Sequence, residues 1–313
     1  MNMNNKLPNI AIVGNAADDK CDLLNSILGE EELPELCNIT LYGADGQPEK
    51  MALHDAVEDW RNGNIQGIVC LPFASDVMEA LNECLGEGAE QMVGLYVTAG
   101  MKMASVMGSM AESEAMSQIT KEAVVTRVKQ IAGILKRDFL ISNPRIAVSF
   151  IKENETNDAG EERKDIAAEA VGELSKSGVL AFGPVNGGVF FDKGDHQAYD
   201  ALVEVYDGQY MECMANTTDD APLKVMTGVD IPAVSAQYEG VLHAIFIVLD
   251  MMRNRKMHDE PFANPLQKLY RERREDGDKA RFAVKKKGFN PAEHRRENVN
   301  YTTATTPKPP KQA

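Results

Sequence analysis

Five cysteines, five histidines and one glycine-rich stretch are where chemistry is first sought in this chain. The thiols stand at Cys21, Cys37, Cys70, Cys84 and Cys213, with no C-x-x-C pair. An odd, dispersed set predicts neither a zinc ribbon nor a disulfide framework, but reduced thiols in or near a core. Gly183-Pro184 followed by Asn186-Gly187-Gly188 offers backbone N–H groups that could cradle an anion; a plain turn is the competing reading. Gly14 to Asp18 (GNAAD) follows an apolar strand without making a G-x-G-x-x-G fingerprint, so it reads as a strand-to-helix turn. Met101, Met103, Met107 and Met110 read as hydrophobic filler near an interface.

These residues need elements to position them. Short β-rich runs at Asn9–Val13, Asn38–Leu41, Gly67–Leu71, Val93–Val97, Arg145–Ile151 and Val179–Phe182 alternate with helical patterns. The helices are expected at Asp19–Leu28, His54–Trp60, Asp76–Leu85, Thr120–Phe139, Asp165–Ser177 and Glu239–Arg255. Thr120 is placed to cap the clearest of them, whose apolar positions recur at Val124, Val128, Ile131 and Leu135. Asn154 to Arg163 reads as a polar loop, and Tyr199 to Tyr206 as helix passing into strand. Strands alternating with helices imply βαβ units and a mainly parallel sheet.

Hydrophobic residues make up 43% of the 313, enough for a sizeable core. The longest apolar run, Val241 to Met252, is broken by His243 and Asp250 and is too short for the roughly 20 residues of a membrane span. The N-terminus has no basic segment before a long apolar one, so a cytoplasmic protein is expected. The net charge of −15 hides an asymmetry. Residues 253–313 carry 16 Lys+Arg against 8 Asp+Glu, a net of +8, which leaves −23 on the rest. An acidic body repels nucleic acid and anionic membrane, so contact with RNA or an acidic partner falls to the tail, through groups such as Lys285-Lys286-Lys287 and Arg295-Arg296. The last twenty or so residues are too poor in apolar surface to order.

The stretch Val93 to Phe150 carries text that can be matched. Met101–Met107 forms a strand-like hairpin arm, Ile119–Glu122 (ITKE) opens a helix that closes at Leu135–Phe139, and Pro144–Val148 (PRIAV) starts the next strand. Gly183-Pro184 before Phe190, Tyr199-Asp200-Ala201 and Val205-Tyr206 follow in order, after Ile10–Gly14 and Gly67–Pro72. The chain resembles the 4-hydroxythreonine-4-phosphate dehydrogenase (PdxA) family of vitamin B6 synthesis over about residues 8–255. The resemblance implies an α/β, two-lobed isopropylmalate dehydrogenase-like fold with mainly parallel sheets, here followed by a basic C-terminal tail. It places residues 1–94 and 236–257 in the first lobe and 95–235 in a second lobe carrying the dimer interface, with 258–313 as a largely extended tail. It further implies a homodimer, NAD(P) as oxidant, and a divalent metal that steadies negative charge on the substrate oxygen.

The family holds that metal with three histidines, and all three positions differ here. They fall on Ser109, Asp207 and Tyr238, and the nearest histidine is His243. Ser, Asp and Tyr do not replace three imidazoles, so no divalent metal is expected. The family's phosphate-handling loop has become the acidic Lys152–Asn157, and its A-D-T has become Asn186-Gly187-Gly188. Groups that act together are not lost together while the chemistry persists. The expectation is a ligand- or partner-binding pseudoenzyme. The alternative is an NAD(P)-dependent oxidoreductase on another small hydroxy acid or phosphorylated substrate. Its candidate polar groups are Asp207, Gln209, Glu239 and His243, with Glu239 and Gly240 near the cofactor and Gly183, Pro184, Asn186 and Gly187 near a substrate anion. His243 also reads as a helix histidine with a local hydrogen bond.

Overall fold

A computed structural model describes residues 7–14, 29, 33–43, 46–89, 91–151 and 158–259. The expected helix Asp19–Leu28, the acidic loop Lys152–Asn157 and the tail beyond Asp259 lie outside the described residues.

The described strands form one ten-stranded sheet in the order β2-β1-β3-β10-β9-β4-β5-β8-β6-β7. They are β1 (Asn9–Val13), β2 (Asn38–Tyr42), β3 (Gly67–Cys70), β4 (Val93–Val97), β5 (Lys102–Ser105), β6 (Ile146–Ile151), β7 (Ala181–Asn186), β8 (Ala201–Glu204), β9 (Leu223–Thr227) and β10 (Ala233–Ser235). Both ends are parallel; in the middle, β9 runs antiparallel to β10 and β4, and β4 antiparallel to β5. The mainly parallel α/β fold expected from the alternating pattern is the one observed. β3 and β8 are buried at every position, as parallel strands covered on both faces must be, whereas the edge strand β2 is half exposed.

Helices cover the two faces unequally. One apolar cluster runs nearly the length of one face, where α5 (Lys121–Asp138), α6 (Asp158–Lys176) and α9 (Val241–Asp259) pack on alternate strand residues from Ile10 to Val234. Thr120 caps α5 by accepting the Ala123 N–H at 3.2 Å, as its position predicts. The strand residues in between point to the other face and divide into two clusters. One lies under α2 (Glu49–Arg61) and α3 (Val77–Leu85) and includes Ala11, Ile68 and Met226. The other lies under α7 (Gly187–Asp192) and α8 (Met211–Ala215) and includes Met103, Ala147 and Leu202. Met101 and Met103 are thus core residues of that second cluster. Two short helices complete the described set, α1 (Leu33–Leu36) and α4 (Glu112–Gln118).

Three local expectations are corrected. The polar stretch read as a loop up to Arg163 is helical from Asp158, because α6 gains a continuous packing surface against β6, β7 and α5 that outweighs its polar start. Tyr199 to Tyr206 contains no α-helix. A 3-10 turn, Asp195–Ala198, precedes it, and the wholly buried β8 claims Ala201–Glu204. The expected turn at Gly183-Pro184 is the interior of β7, with a cis peptide between the two residues. A side chain at Gly183 would place its Cβ 2.5 Å from the Val148 carbonyl oxygen, so only glycine fits there.

Among the described residues no helix is long and apolar enough to cross a membrane. Cys37, Cys70 and Cys84 are free thiols, and burial pushes the first two above the ordinary cysteine range.

Candidate functional site

The polar groups converge on the face of the sheet that carries the two smaller apolar clusters, around the C-terminal ends of β5 and β8. β5 and β8 run parallel, so their C-terminal ends, Ser105 and Glu204, come out side by side. The turns that follow carry Ser109 and Asp207. Two antiparallel pairings bring in the rest. Lys224 on β9 lies opposite Tyr96 on β4, and Tyr96 lies opposite Met103 on β5.

Glu204 fixes the turn that presents Asp207. Its side chain is wholly buried, and its two oxygens accept the N–H groups of Gly208 and Tyr210, each at 3.0 Å. Burial pushes its carboxyl up to about 8, against the two amide donors, with Asp207 adding to the rise. Gln209 closes the same turn. Its carbonyl oxygen accepts the Val205 N–H at 3.0 Å and its amide donates to the Tyr210 hydroxyl at 3.1 Å. The Ser149 and Tyr210 hydroxyls are 3.0 Å apart and continue the network to the Val185 carbonyl.

Asp207 is then held from every side. The Ser105 hydroxyl donates a short hydrogen bond to Oδ1. Ser109 donates to Oδ2 at 3.4 Å, and the Lys224 ammonium stands 3.4 Å from that same oxygen. Arg127 of α5 adds further positive charge facing the carboxylate. Lys224 also approaches Asp76 Oδ2, at 3.8 Å, and lies 5.4 Å from the centre of the Tyr96 ring. Its stem passes over Gly94, where an added Cβ would stand 2.9 Å from Cε. Burial works against the charge on Lys224, but Tyr96, Asp207 and Asp76 hold its ammonium above the usual lysine range.

The other candidates lie elsewhere. Tyr238 is buried on the 3-10 turn Tyr238–Gly240 before α9, its phenol raised by burial and then by Glu49. Glu239 is exposed on that turn, and Gly240 packs against Leu223. His243 is exposed on α9 and lines a cavity of about 260 Å³ with Thr98, Asp220, Phe246 and Asp250. Asn186 caps α7 through the Val189 N–H, and the Tyr210 ring fills the space a side chain at Gly187 would need. The structure therefore brings together Ser109 and Asp207, with Gln209 on the same turn.

Sequence reasoning missed Ser105, Tyr96, Glu204 and Lys224. One signal was present: a lysine inside the apolar strand Leu223-Lys224-Val225-Met226.

A divalent ion of the kind the resemblance implies does not fit these residues. Among the described residues Asp207 is the carboxylate bonded to both Ser105 and Ser109, its oxygens already accept three donors, and one donor is a cation. Among the described residues no group of three or more His, Cys, Asp and Glu side chains could hold a metal ion.

The ten-stranded, mainly parallel sheet with helices on both faces defines a protein of the α/β class. A family model described as "Pyridoxal phosphate biosynthetic protein PdxA" matches residues 37–239, and the chain belongs to that family. It is 27% identical over 255 residues to the 4-hydroxythreonine-4-phosphate dehydrogenase of Bacteroides thetaiotaomicron, covering 73% of this chain and 70% of that one. It is 28% identical to the Bradyrhizobium diazoefficiens protein of the same name, covering 59% and 58%. In fold it is similar to the crystal structure of 4-hydroxythreonine-4-phosphate dehydrogenase from Klebsiella pneumoniae, with a TM-score of 0.57 at 15% identity, covering 80% of this chain and 100% of that one.

Proposed function

We propose that this chain is a PdxA-family protein that has given up metal-dependent oxidation and keeps its cleft to bind a small ligand or a partner, as a cytoplasmic homodimer. One observation carries the reading. Two of the three positions where the family places metal-binding histidines meet in space, and they meet as Ser109 and Asp207 bonded to each other. A hydroxyl and a carboxylate that already faces the Lys224 ammonium at 3.4 Å are a poor match for an ion that three imidazoles would hold. The third position, Tyr238, is a buried phenol beside Glu49. Without a metal, nothing of that strength draws electron density from a substrate hydroxyl during hydride loss.

The test is turnover. The purified protein is assayed on 4-phosphohydroxy-L-threonine with NAD, alone and with added zinc or magnesium. No NADH formation above background is expected under any of these conditions. Robust metal-dependent NADH formation would end the proposal.

A second reading has its own support in the Lys224, Tyr96 and Asp207 grouping, which could hold or pass a proton without a metal. It is an NAD(P)-dependent oxidoreductase acting on another small hydroxy acid or phosphorylated substrate, in or near pyridoxal phosphate synthesis. A rise in melting temperature with NAD or NADP supports this reading. The absence of any shift with either dinucleotide counts against it.

A further inference from the structure

The geometry around Asp207 points to more than the loss of a metal. We infer that the Lys224 ammonium is a resident cation, built into the chain at the place where the family's ion would sit, and that it keeps divalent ions away from Asp207. This rests on the reading above that the metal has been given up, and it adds the residue responsible.

Asp207 carries one of the three positions the resemblance assigns to the metal, and Ser109, bonded to it, carries another. The oxygen they share, Oδ2, is also the one that Lys224 approaches at 3.4 Å. An ion bound to that oxygen would have to lie within a few ångströms of the ammonium and displace it, since like charges at that range repel strongly in a poorly hydrated site. Lys224 has little freedom to leave. Its side chain is 16% exposed, its stem occupies the space over Gly94, and Asp76 and the Tyr96 ring face its charge from other elements. The carboxylates the charge neutralises come from different places: Asp76 caps α3, whereas Asp207 sits on the turn after β8. A lysine in the middle of an apolar strand is costly to bury, and this arrangement supplies it with two counter-ions and an aromatic face.

The inference makes a gain-of-function prediction. Lys224→Met keeps the unbranched stem and removes the charge, which leaves Asp207 and Asp76 without their shared cation. Manganese binding is measured by calorimetry on the full chain, for the wild type, K224M, K224R and the double variant K224M/D207N. Thermal melts and near-ultraviolet circular dichroism establish that each is folded. K224M is expected to gain a manganese site at least tenfold tighter than anything in the wild type. K224R is expected to behave as the wild type, and the double variant to lose the gained site. A wild-type protein that already binds manganese at a site abolished by Asp207→Asn overturns the inference. So does a folded K224M that gains nothing. Should K224M fail to fold, the comparison is repeated with Lys224→Gln, under the same two overturning outcomes. Binding is read here without turnover. A metal-free dehydrogenase activity would therefore overturn the proposed function and leave this inference standing, whereas manganese binding by the wild type would do the reverse if no turnover accompanied it.

Discussion

Glu204 illustrates how much a single buried carboxyl can govern. It holds Gly208 and Tyr210 and so sets the turn on which Asp207 stands. Its folded-state carboxyl is pushed up to about 8 by burial, while the unfolded chain titrates near 4.5. The folded state therefore binds the extra proton between those values, and stability falls as pH rises through that window. That contribution is fully present below about 4.5 and gone above about 8. Denaturant midpoints of the wild type should fall between pH 5 and 8, and those of Glu204→Gln should fall less. The variant should also lose about 1–3 kcal/mol at pH 5, since its amide nitrogen would face a backbone N–H it cannot accept. Parallel pH slopes for the two proteins would remove Glu204 from this role. None of this was legible in the sequence, where Glu204 is one acidic residue among many. Asp207 and Ser109 were legible, but only because family text with histidines could be laid over them. The Ser105–Asp207 bond joins residues 102 apart and exists because β5 and β8 pair, which no local pattern encodes.

Elements with a strong local signal were read well, and those made by tertiary contact were not. Helix α5 has a capping threonine and a regular apolar stripe, and its observed limits match the expected ones closely. Strands β9 and β10 went unrecognised because they are short and their pairings with β4 and β3 join segments far apart in sequence. The same holds for the clamp that ties α5 to α9. Asp138 is fully buried at the end of α5, and Arg255 reaches both its oxygens, at 2.8 and 3.0 Å, while Arg137 adds a third contact at 2.9 Å. Asn254 donates to the Asp138 carbonyl at 2.9 Å. Removing one partner of a buried pair leaves the other charge uncompensated. Asp138→Ala should accordingly cost about 3–5 kcal/mol in urea unfolding, with Asp138→Asn costing less. A loss under 1 kcal/mol for the alanine variant would show that the clamp is not what joins the two helices.

At the scale of the whole molecule, family membership fixes the frame and leaves the chemistry to individual side chains. The mainly parallel sheet with helices on both faces was foreshadowed by the alternating strands and helices, whereas its antiparallel centre was not. What the site can do depends on a few side chains that pattern does not constrain. Here two carboxylates, Asp76 and Asp207, stand against two cations, Lys224 and Arg127. The most direct check is the metal content of the protein itself, purified without chelators from zinc-supplemented medium and measured by mass spectrometry of the elements. Far less than one divalent ion per chain is predicted, with the same trace amount in Asp207→Asn. One tightly bound ion per chain, released by that substitution, would contradict the account.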